Sequence, residues 1–460
     1  MEKPSYYGIV TKVTKEDMKP VEGTDRLLIY MCWGSPVITA VEDNKILPEE
    51  SIGIYFPSGG KLDAGFLSKN NLYRSNELNA DKQASGYVED NGRVKAVKLR
   101  GQISDGMFMP LKAITDWMPK ADISGYKPGD AVWSIEGKTL CEKYYIRQAN
   151  TGAGTPGGKG SRAGGRQYGS LEPTHFHMHY DTPQFAFVVN SFDQRDHIVI
   201  SEKVHGTSHR YGYLRLNQHV PKWLTKLTRG IDAILKKLFT LFVDIRFARL
   251  SHIYGTRRVD VVPQAQNNFE FKSGQSYHSP VIRDNANKLF EGKLHEGEII
   301  YCEIVGYEDS EKPIMPPGPV EKLGKEFVKR YGKQMFWSYG TQPGEQEVYV
   351  YRIVQVRPNG TVVEYSYQQM LDRAKELNVK TPPIIFSGLV SELGKTGAEI
   401  LASIDAMSKG PSMCDVRHLK EGVTIWSSRT HKYTKYKSYE FKVLEDIIKD
   451  AGVVDGEDVS

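Results

Sequence analysis

The stretch His197-Ile-Val-Ile-Ser-Glu202-Lys203-Val204-His205-Gly206-Thr207-Ser208 decides how the rest of the chain reads. An apolar strand runs straight into Lys-x-x-Gly, and a second strand, Tyr211–Leu216, follows. A lysine at a strand end beside a small residue reaches into a cleft from a rigid base. Its amine is a nucleophile only when deprotonated, a state favoured by burial or by nearby cations. Taken alone, Lys-x-x-Gly also fits any surface lysine before a turn, so the segment needs company.

Four later segments supply it, each short and strand-like. Ile300-Tyr301-Cys302-Glu303-Ile304-Val305-Gly306 puts one carboxylate in an apolar strand. Glu347-Val348-Tyr349-Val350-Tyr351-Arg352-Ile353 sets aromatics on one strand face. Lys420-Glu421-Gly422-Val423-Thr424-Ile425-Trp426 places a carboxylate at a strand start, and Lys435-Tyr436-Lys437-Ser438-Tyr439-Glu440-Phe441 carries two lysines on one side of an extended segment. Two further pieces stand near: His179-Tyr180-Asp181-Thr182-Pro183-Gln184 upstream and Tyr254-Gly255-Thr256-Arg257-Arg258-Val259 downstream of the lysine.

Outward from this centre the organisation is coarse but legible. Residues 1–147 read as a β-rich module with strands at Tyr6–Val13, Leu27–Cys32, Ile52–Phe56, Val94–Leu99 and Ala131–Ile135, separated by turns such as Ser58-Gly59-Gly60. Many short strands without long helices predict a small barrel of OB type. Residues 148–171, with eight glycines between Gln148 and Ser170, read as a linker or long loop. Residues 172–453 mix strands with helices expected at Tyr367–Leu377, Val390–Met407 and Val443–Ala451, and residues 454–460 form a short acidic tail. Pro221 to about Leu250 has helical apolar spacing with lysines and arginines on other faces, the pattern of a solvated basic face over an ordinary core stripe.

The 460 residues suggest two to four domains. Lys+Arg 61 against Asp+Glu 56 gives a net charge of +5, compatible with a polyanionic partner without requiring one. Four well-spaced cysteines argue against a zinc ribbon or a disulfide framework and for reduced thiols in a cytoplasmic protein. No secretory leader is expected from Met1–Ser5, and Leu238–Val243 is too short to span a bilayer, so no membrane association is expected. Gly152-Ala-Gly154-Thr-Pro-Gly157 fits GxGxxG but lacks the strand before it and the helix after it that pyrophosphate binding requires. His175, His177 and His179 would share one face of a strand; solvated histidines on a partly exposed strand are the preferred reading over a metal site.

In their order, the motifs from about 175 to 445 resemble the covalent nucleotidyltransferase superfamily of polynucleotide ligases and mRNA capping enzymes. Glu202-Lys203-Val204-His205-Gly206-Thr207 is most similar to the phage RNA ligase 2 family, which carries His where DNA ligases carry Asp. In the first module, Tyr55-Phe56-Pro57, Leu72-Tyr73-Arg74 and Val97-Lys98-Leu99-Arg100-Gly101 resemble the N-terminal OB-like module of Deinococcus-type RNA ligases. The resemblance implies an α+β chain: an OB-like β-barrel followed by an adenylation domain of antiparallel sheets with flanking helices. It implies that Lys203 takes AMP from ATP, that Lys435 and Lys437 stabilise charge at the α-phosphate, and that His205 assists near the phosphates. Glu303 and Glu421 would hold Mg2+ or Mn2+, with Gly206 in the nucleotide site. Tyr349 would stack on adenine, with Tyr351 as the alternative. Glu202 would read the adenine edge, and Arg257, or its rival Arg258, would grip ribose or a 5′-phosphate.

The implied reaction joins 3′-OH and 5′-phosphate ends of RNA or an RNA-containing duplex, with no obligate protein partner. Ser208 departs from the pattern, standing where DNA ligases place Arg and phage ligases often place Asn. About 20 residues follow Lys437, so the C-terminal OB domain of DNA ligases and capping enzymes is not expected. That weighs against the two nearest alternatives, a GTP-using capping-type guanylyltransferase and a DNA ligase. A non-catalytic RNA-binding protein is the alternative from another class.

Overall fold

The computed structural model describes residues 4, 6–41, 49–144, 171–173, 175–218, 249–256, 260–261 and 280–450. The glycine-rich run to Ser170, the basic helix to residue 248, Arg257, Arg258 and the acidic tail lie outside the described residues.

Two antiparallel sheets carry the motif region. One has four strands in the order Ile384–Leu389, His197–Lys203, Gly422–Ser427, Tyr433–Lys437. The other is built on Arg249–Gly255, Thr207–Gln218, Glu298–Gly306 and Gln346–Val356, with shorter strands at its edges. Strand Glu298–Gly306 is buried along its whole length. This explains its near-continuous apolar composition, since both faces are covered. The segment Val204-His205-Gly206 links the first sheet to the second, so the decisive stretch of sequence is the hinge between them.

The N-terminal strands form an open four-stranded antiparallel sheet in the order Ala131–Val132, Gly8–Thr14, Glu50–Phe56, Met107–Pro110, with two- and three-stranded ribbons beside it. No closed barrel forms among the described residues. The expected strand Ala131–Ile135 divides after Val132. Its second half, Ser134–Ile135, pairs instead with Lys138–Thr139 across Glu136 and Gly137, both at positive φ. The same device closes Ala96–Leu99 onto Gln102–Asp105, where Arg100 (φ 50) and Gly101 (φ 82) make the left-handed two-residue turn that matches strand twist.

Helix Tyr367–Leu377 lies where its periodicity puts it, begun by a Ser366–Gln369 capping box. The expected helix Val390–Met407 is shorter. A 3-10 turn covers Val390–Glu392, and the helix starts at Gly397, where Thr396 and Glu399 form a second capping box. The last helix is longer, Tyr439–Asp450. His175–His179 form no strand; His175 sits at φ 64, and the His175 and His177 rings stack with centroids 6.3 Å apart. The four cysteines are unpaired. Among the described residues no helix is long and apolar enough to cross a membrane.

Helix Tyr439–Asp450 follows directly on the two lysines and docks onto the N-terminal strands. Lys442 Nζ lies 2.6 Å from the buried Asp105 carboxylate. Asp446 forms a buried ion pair with Arg93 and accepts the Ala96 N–H at 2.6 Å. Tyr439 donates to the Gly34 carbonyl at 3.1 Å. A buried pair is costly to half-remove, because the survivor stays charged in a poorly solvated place. Arg93→Met should therefore destabilise the protein by about 3–5 kcal/mol, read as a lower urea midpoint, with Asp446→Leu in the same background restoring part of the loss. A midpoint unchanged in Arg93→Met would show that the pair does not hold the helix.

Candidate active site

Lys203 is the last residue of its strand, and its Cα neighbour on the next strand is Gly422, which in turn pairs with Lys437. Three residues thus stand in a row across three strands. The middle one has to be glycine: a Cβ there would lie 2.1 Å from the Tyr436 carbonyl oxygen and 2.7 Å from Lys437 Cα. Gly206 has the same kind of duty on the other side. A Cβ on it would meet the Ile304 carbonyl oxygen at 2.4 Å and Glu303 Cγ at 2.9 Å. The two glycines let the strands bearing Lys437 and Glu303 close around the lysine.

Glu421, just ahead of its strand and fully buried, is the electrostatic centre. Its carboxylate lies 2.7 Å from Lys203 Nζ and 3.0 Å from Lys437 Nζ, with His205 Nδ1 at 3.7 Å. Lys437 also meets Glu445 at 3.1 Å, so two cations face two carboxylates. His205 is fixed by its backbone N–H, which donates to Tyr339 Oη at 2.6 Å, and by edge-to-face packing against Trp337 and Phe441.

In front of this cluster opens a pocket of about 770 Å3 of empty space, partly open to solvent. Lys203, Glu202, Glu303, Tyr351, Lys435 and His179 line it, with Ser208, Thr424 and Tyr433. The structure thus gathers Glu202, Lys203, Glu303 and Lys435 around one pocket, with Lys437, His205 and Glu421 immediately behind. Tyr349 is not in its lining. It packs in the core beside Tyr339, opposite Glu303 on the neighbouring strand. Tyr351 lines the pocket instead, because the strand bulges there: Tyr301 pairs with Arg352 and Cys302 with Val350, leaving Tyr351 as the extra residue. Simple alternation puts both tyrosines on one face, and a bulge re-aims one of them.

Glu202 is fully buried. One oxygen accepts the Met413 N–H at 2.7 Å, and the other has no hydrogen-bond partner among the described residues. Burial raises its pKa against the opposing pull of the Ser412 and Met413 bonds and of Lys420. Burial likewise lowers the Lys420 pKa.

Several contributors were not singled out from sequence. Arg352 ion-pairs with Glu364, stacks over Tyr180 and Tyr301 at 4.8 and 4.4 Å, and reaches His179 Nδ1 at 3.3 Å, while His179 Nε2 meets Thr182 at 3.1 Å. Arg283, buried behind the pocket, donates to the Ser208 carbonyl at 3.0 Å and to Thr207 Oγ1 at 3.2 Å, and burial pushes its pKa down to about 10. The Glu347–Ile353 and His179–Gln184 segments of the sequence already contain Arg352, Tyr180 and His179 without giving Arg352 a role; nothing local marks Arg283.

No group of three or more His, Cys, Asp or Glu able to hold a metal occurs among the described residues. Magnesium and manganese at a nucleotide site need only one or two carboxylates, the rest of the shell coming from phosphate and water. Glu303, a pocket-lining carboxylate, fits that role; Glu421 faces the two lysines.

Residues 196–444 match the family model described as RNA ligase. The chain belongs to the RNA ligase family. Among solved structures it is similar to the RNA ligase of Naegleria gruberi. A variant with AMP and manganese has 16% identity and a TM-score of 0.52 over 94% of this chain and 98% of that one. An apo variant has 16% identity and a TM-score of 0.53 over 97% and 100%. The enzyme with pyrophosphate has 14% identity and a TM-score of 0.51 over 97% and 99%. At such identity these likenesses establish the shared fold. None of the curated proteins compared with the sequence matches it.

A carboxyl whose pKa is raised in the fold binds protons more tightly than in the unfolded chain. It favours folding most below its ordinary value of 4.5, and that contribution is lost as pH rises through the raised value. Glu202→Gln should remove this loss. Its melting temperature relative to the wild type should climb between pH 4.5 and neutrality, and a difference constant with pH would count against a raised Glu202 pKa.

Proposed function

We propose that the protein is an ATP-dependent RNA ligase that joins 3′-OH and 5′-phosphate ends through a lysyl-AMP and an adenylylated 5′ end. The observation carrying this reading is the position of Lys203: at a strand end, lining a pocket, 2.7 Å from Glu421 and one glycine away from Lys437. To act as the nucleophile Lys203 must give up a proton, for which the Glu421 carboxylate 2.7 Å away is the nearest acceptor. Lys203 then attacks the α-phosphate, and pyrophosphate departs. Lys435 and Lys437 stabilise the charge that grows on the phosphoryl oxygens. Tyr351 is the stacking partner we assign to adenine, with Glu202 at the base edge and His205 behind the phosphates. Glu303 would hold a divalent cation, which neutralises phosphate charge when bound.

The finer assignments rest on the sequence resemblance. His205 inside the lysine motif supports the RNA ligase 2-like branch. The short antiparallel strands of residues 1–147 support an OB-like nucleic-acid-binding module, joined by residues 148–171 to an adenylation domain at 172–453. We infer sealing of nicks with RNA on the 3′-OH side, and a cytoplasmic setting consistent with four unpaired cysteines.

Incubation with α-labelled ATP and magnesium should leave acid-labile label on the denatured protein, absent in Lys203→Ala. Label from GTP instead would point to capping chemistry, and none from either would leave a nucleic-acid-binding protein. Gly422→Val, which forces the Lys437 strand away from Lys203, should cut the labelling rate about 100-fold, as displacing reacting groups by an ångström can. Normal labelling in a folded Gly422→Val protein would refute the importance of that spacing.

A further inference from the structure

Pairing in the strand that carries the nucleophile ends at Lys203, and pairing in the next strand begins at Thr207. The buried His205 N–H lies beyond both ladders, and a buried N–H needs a partner. It finds one 134 positions away, donating to Tyr339 Oη at 2.6 Å. We propose that Tyr339 is a positioning residue for nucleotidyl transfer, holding the His205 backbone, and with it the imidazole, beside the Lys203–Glu421 pair. The inference rests on the ligase reading above.

Tyr339 sits at φ 52, a left-handed conformation that a bulky residue adopts only under constraint, and Gly340 follows at φ 86. Such a residue persists where its surroundings over-determine it, and such places cluster at functional sites. The constraint comes from the segment leading to Glu421. The Asp415 carboxylate accepts from Ser338 Oγ at 2.7 Å and from the Gly340 N–H at 3.2 Å, and it is itself paired with Arg417 at 2.8 Å. Between these anchors the Tyr339 N–H donates to His418 Nε2 at 3.4 Å, and the two rings meet edge to face with centroids 4.5 Å apart. His418 Nδ1 lies 2.9 Å from the Leu419 carbonyl, so Nδ1 carries the proton and Nε2 is left as the acceptor. Burial lowers the His418 pKa, which favours the neutral ring this bond requires.

One short loop thus faces two ways. Trp337 and Tyr339 go to His205, and Ser338 between them goes to Asp415. The run from Asp415 ends on Glu421, the carboxylate 2.7 Å from Lys203 Nζ and 3.7 Å from His205 Nδ1. Tyr339 therefore ties the backbone two residues beyond the nucleophile to the segment that carries the nucleophile's ion-pair partner. Packing on Trp337 and Phe441, with centroids 5.0 and 4.8 Å away, gives the imidazole its walls but has little direction. The bond from the His205 N–H is directional and fixes where along those walls the ring sits. Tyr339 is not in the lining of the nucleotide pocket, so it acts through His205 and not on the nucleotide.

The test is single-turnover labelling of the full-length protein with α-labelled ATP and magnesium, across ATP concentrations. Tyr339→Phe keeps the ring and removes only the acceptor. We expect its labelling rate at saturating ATP to fall about tenfold, less than an ångström of displacement can cost. Its half-saturating ATP concentration should stay within about twofold of the wild type's. Because the hydroxyl acts through the imidazole, adding Tyr339→Phe to His205→Ala should change the rate by less than about twofold. His418→Leu should reproduce the Tyr339→Phe loss, and His418→Gln, which keeps an acceptor near the Nε2 position, should restore much of the rate. That pair carries the test if Tyr339→Phe does not fold. An unchanged rate in folded Tyr339→Phe, an equal loss with and without the His205 imidazole, or a change confined to the half-saturating concentration would each overturn the proposal. A wild type that takes no label would instead overturn the ligase reading itself.

Discussion

One buried carboxylate shared by two lysines organises this molecule. Glu421 meets Lys203 at 2.7 Å and Lys437 at 3.0 Å, and all three are largely removed from water. Two ammonium groups this close repel unless a negative charge stands between them, and the desolvated carboxylate is stabilised by both. Such an arrangement holds cations in a fixed place without needing solvent. A phosphoryl group arriving there meets charge that is already oriented, which is how preorganised sites lower barriers.

The arrangement is possible because backbone comes close to backbone. Gly422 lets the strand bearing Lys437 come to contact distance, and Gly206 lets the second sheet bring Glu303 to the same place. The link Val204–Gly206 is short, so the two sheets meet at the lysine and the pocket opens where they part. The N-terminal strands add a further constraint. Through Asp105 and Arg93 they hold the helix that begins two residues after Lys437, so the placement of one catalytic candidate depends on residues more than three hundred positions away.

Much of this was legible in the chain. The strands ending at Lys203 and bearing Glu303 are built on the apolar runs Ile198–Ile200 and Ile299–Val305, and a charged side chain within or at the end of such a run has few explanations other than a site. Helix Tyr367–Leu377 announces itself by period and by its Ser-x-x-Gln cap. Readings failed where local pattern gives no purchase. Strand Ala131–Ile135 divides after Val132, and its second half turns back on Lys138–Thr139 through Glu136, an ordinary residue in a left-handed conformation. The tyrosine facing the pocket is Tyr351 and not Tyr349, because a bulge is set by cross-strand pairing and leaves no mark in a run of alternating aromatics. Arg283 reached the rear of the site on a helix whose sequence shows only an ordinary amphipathic face.

The sequence by itself determined which chemical groups are present and in what order: one lysine before a glycine, carboxylates in apolar strands, and a closing pair of lysines. Those follow from residue identity and a strand period of two, which are local. Tertiary structure alone decided which groups share a pocket, which tyrosine faces it, and that the N-terminal strands hold the helix after Lys437. Those depend on pairing register, close backbone approach and buried ion pairs between distant segments, and a one-dimensional pattern carries no distances.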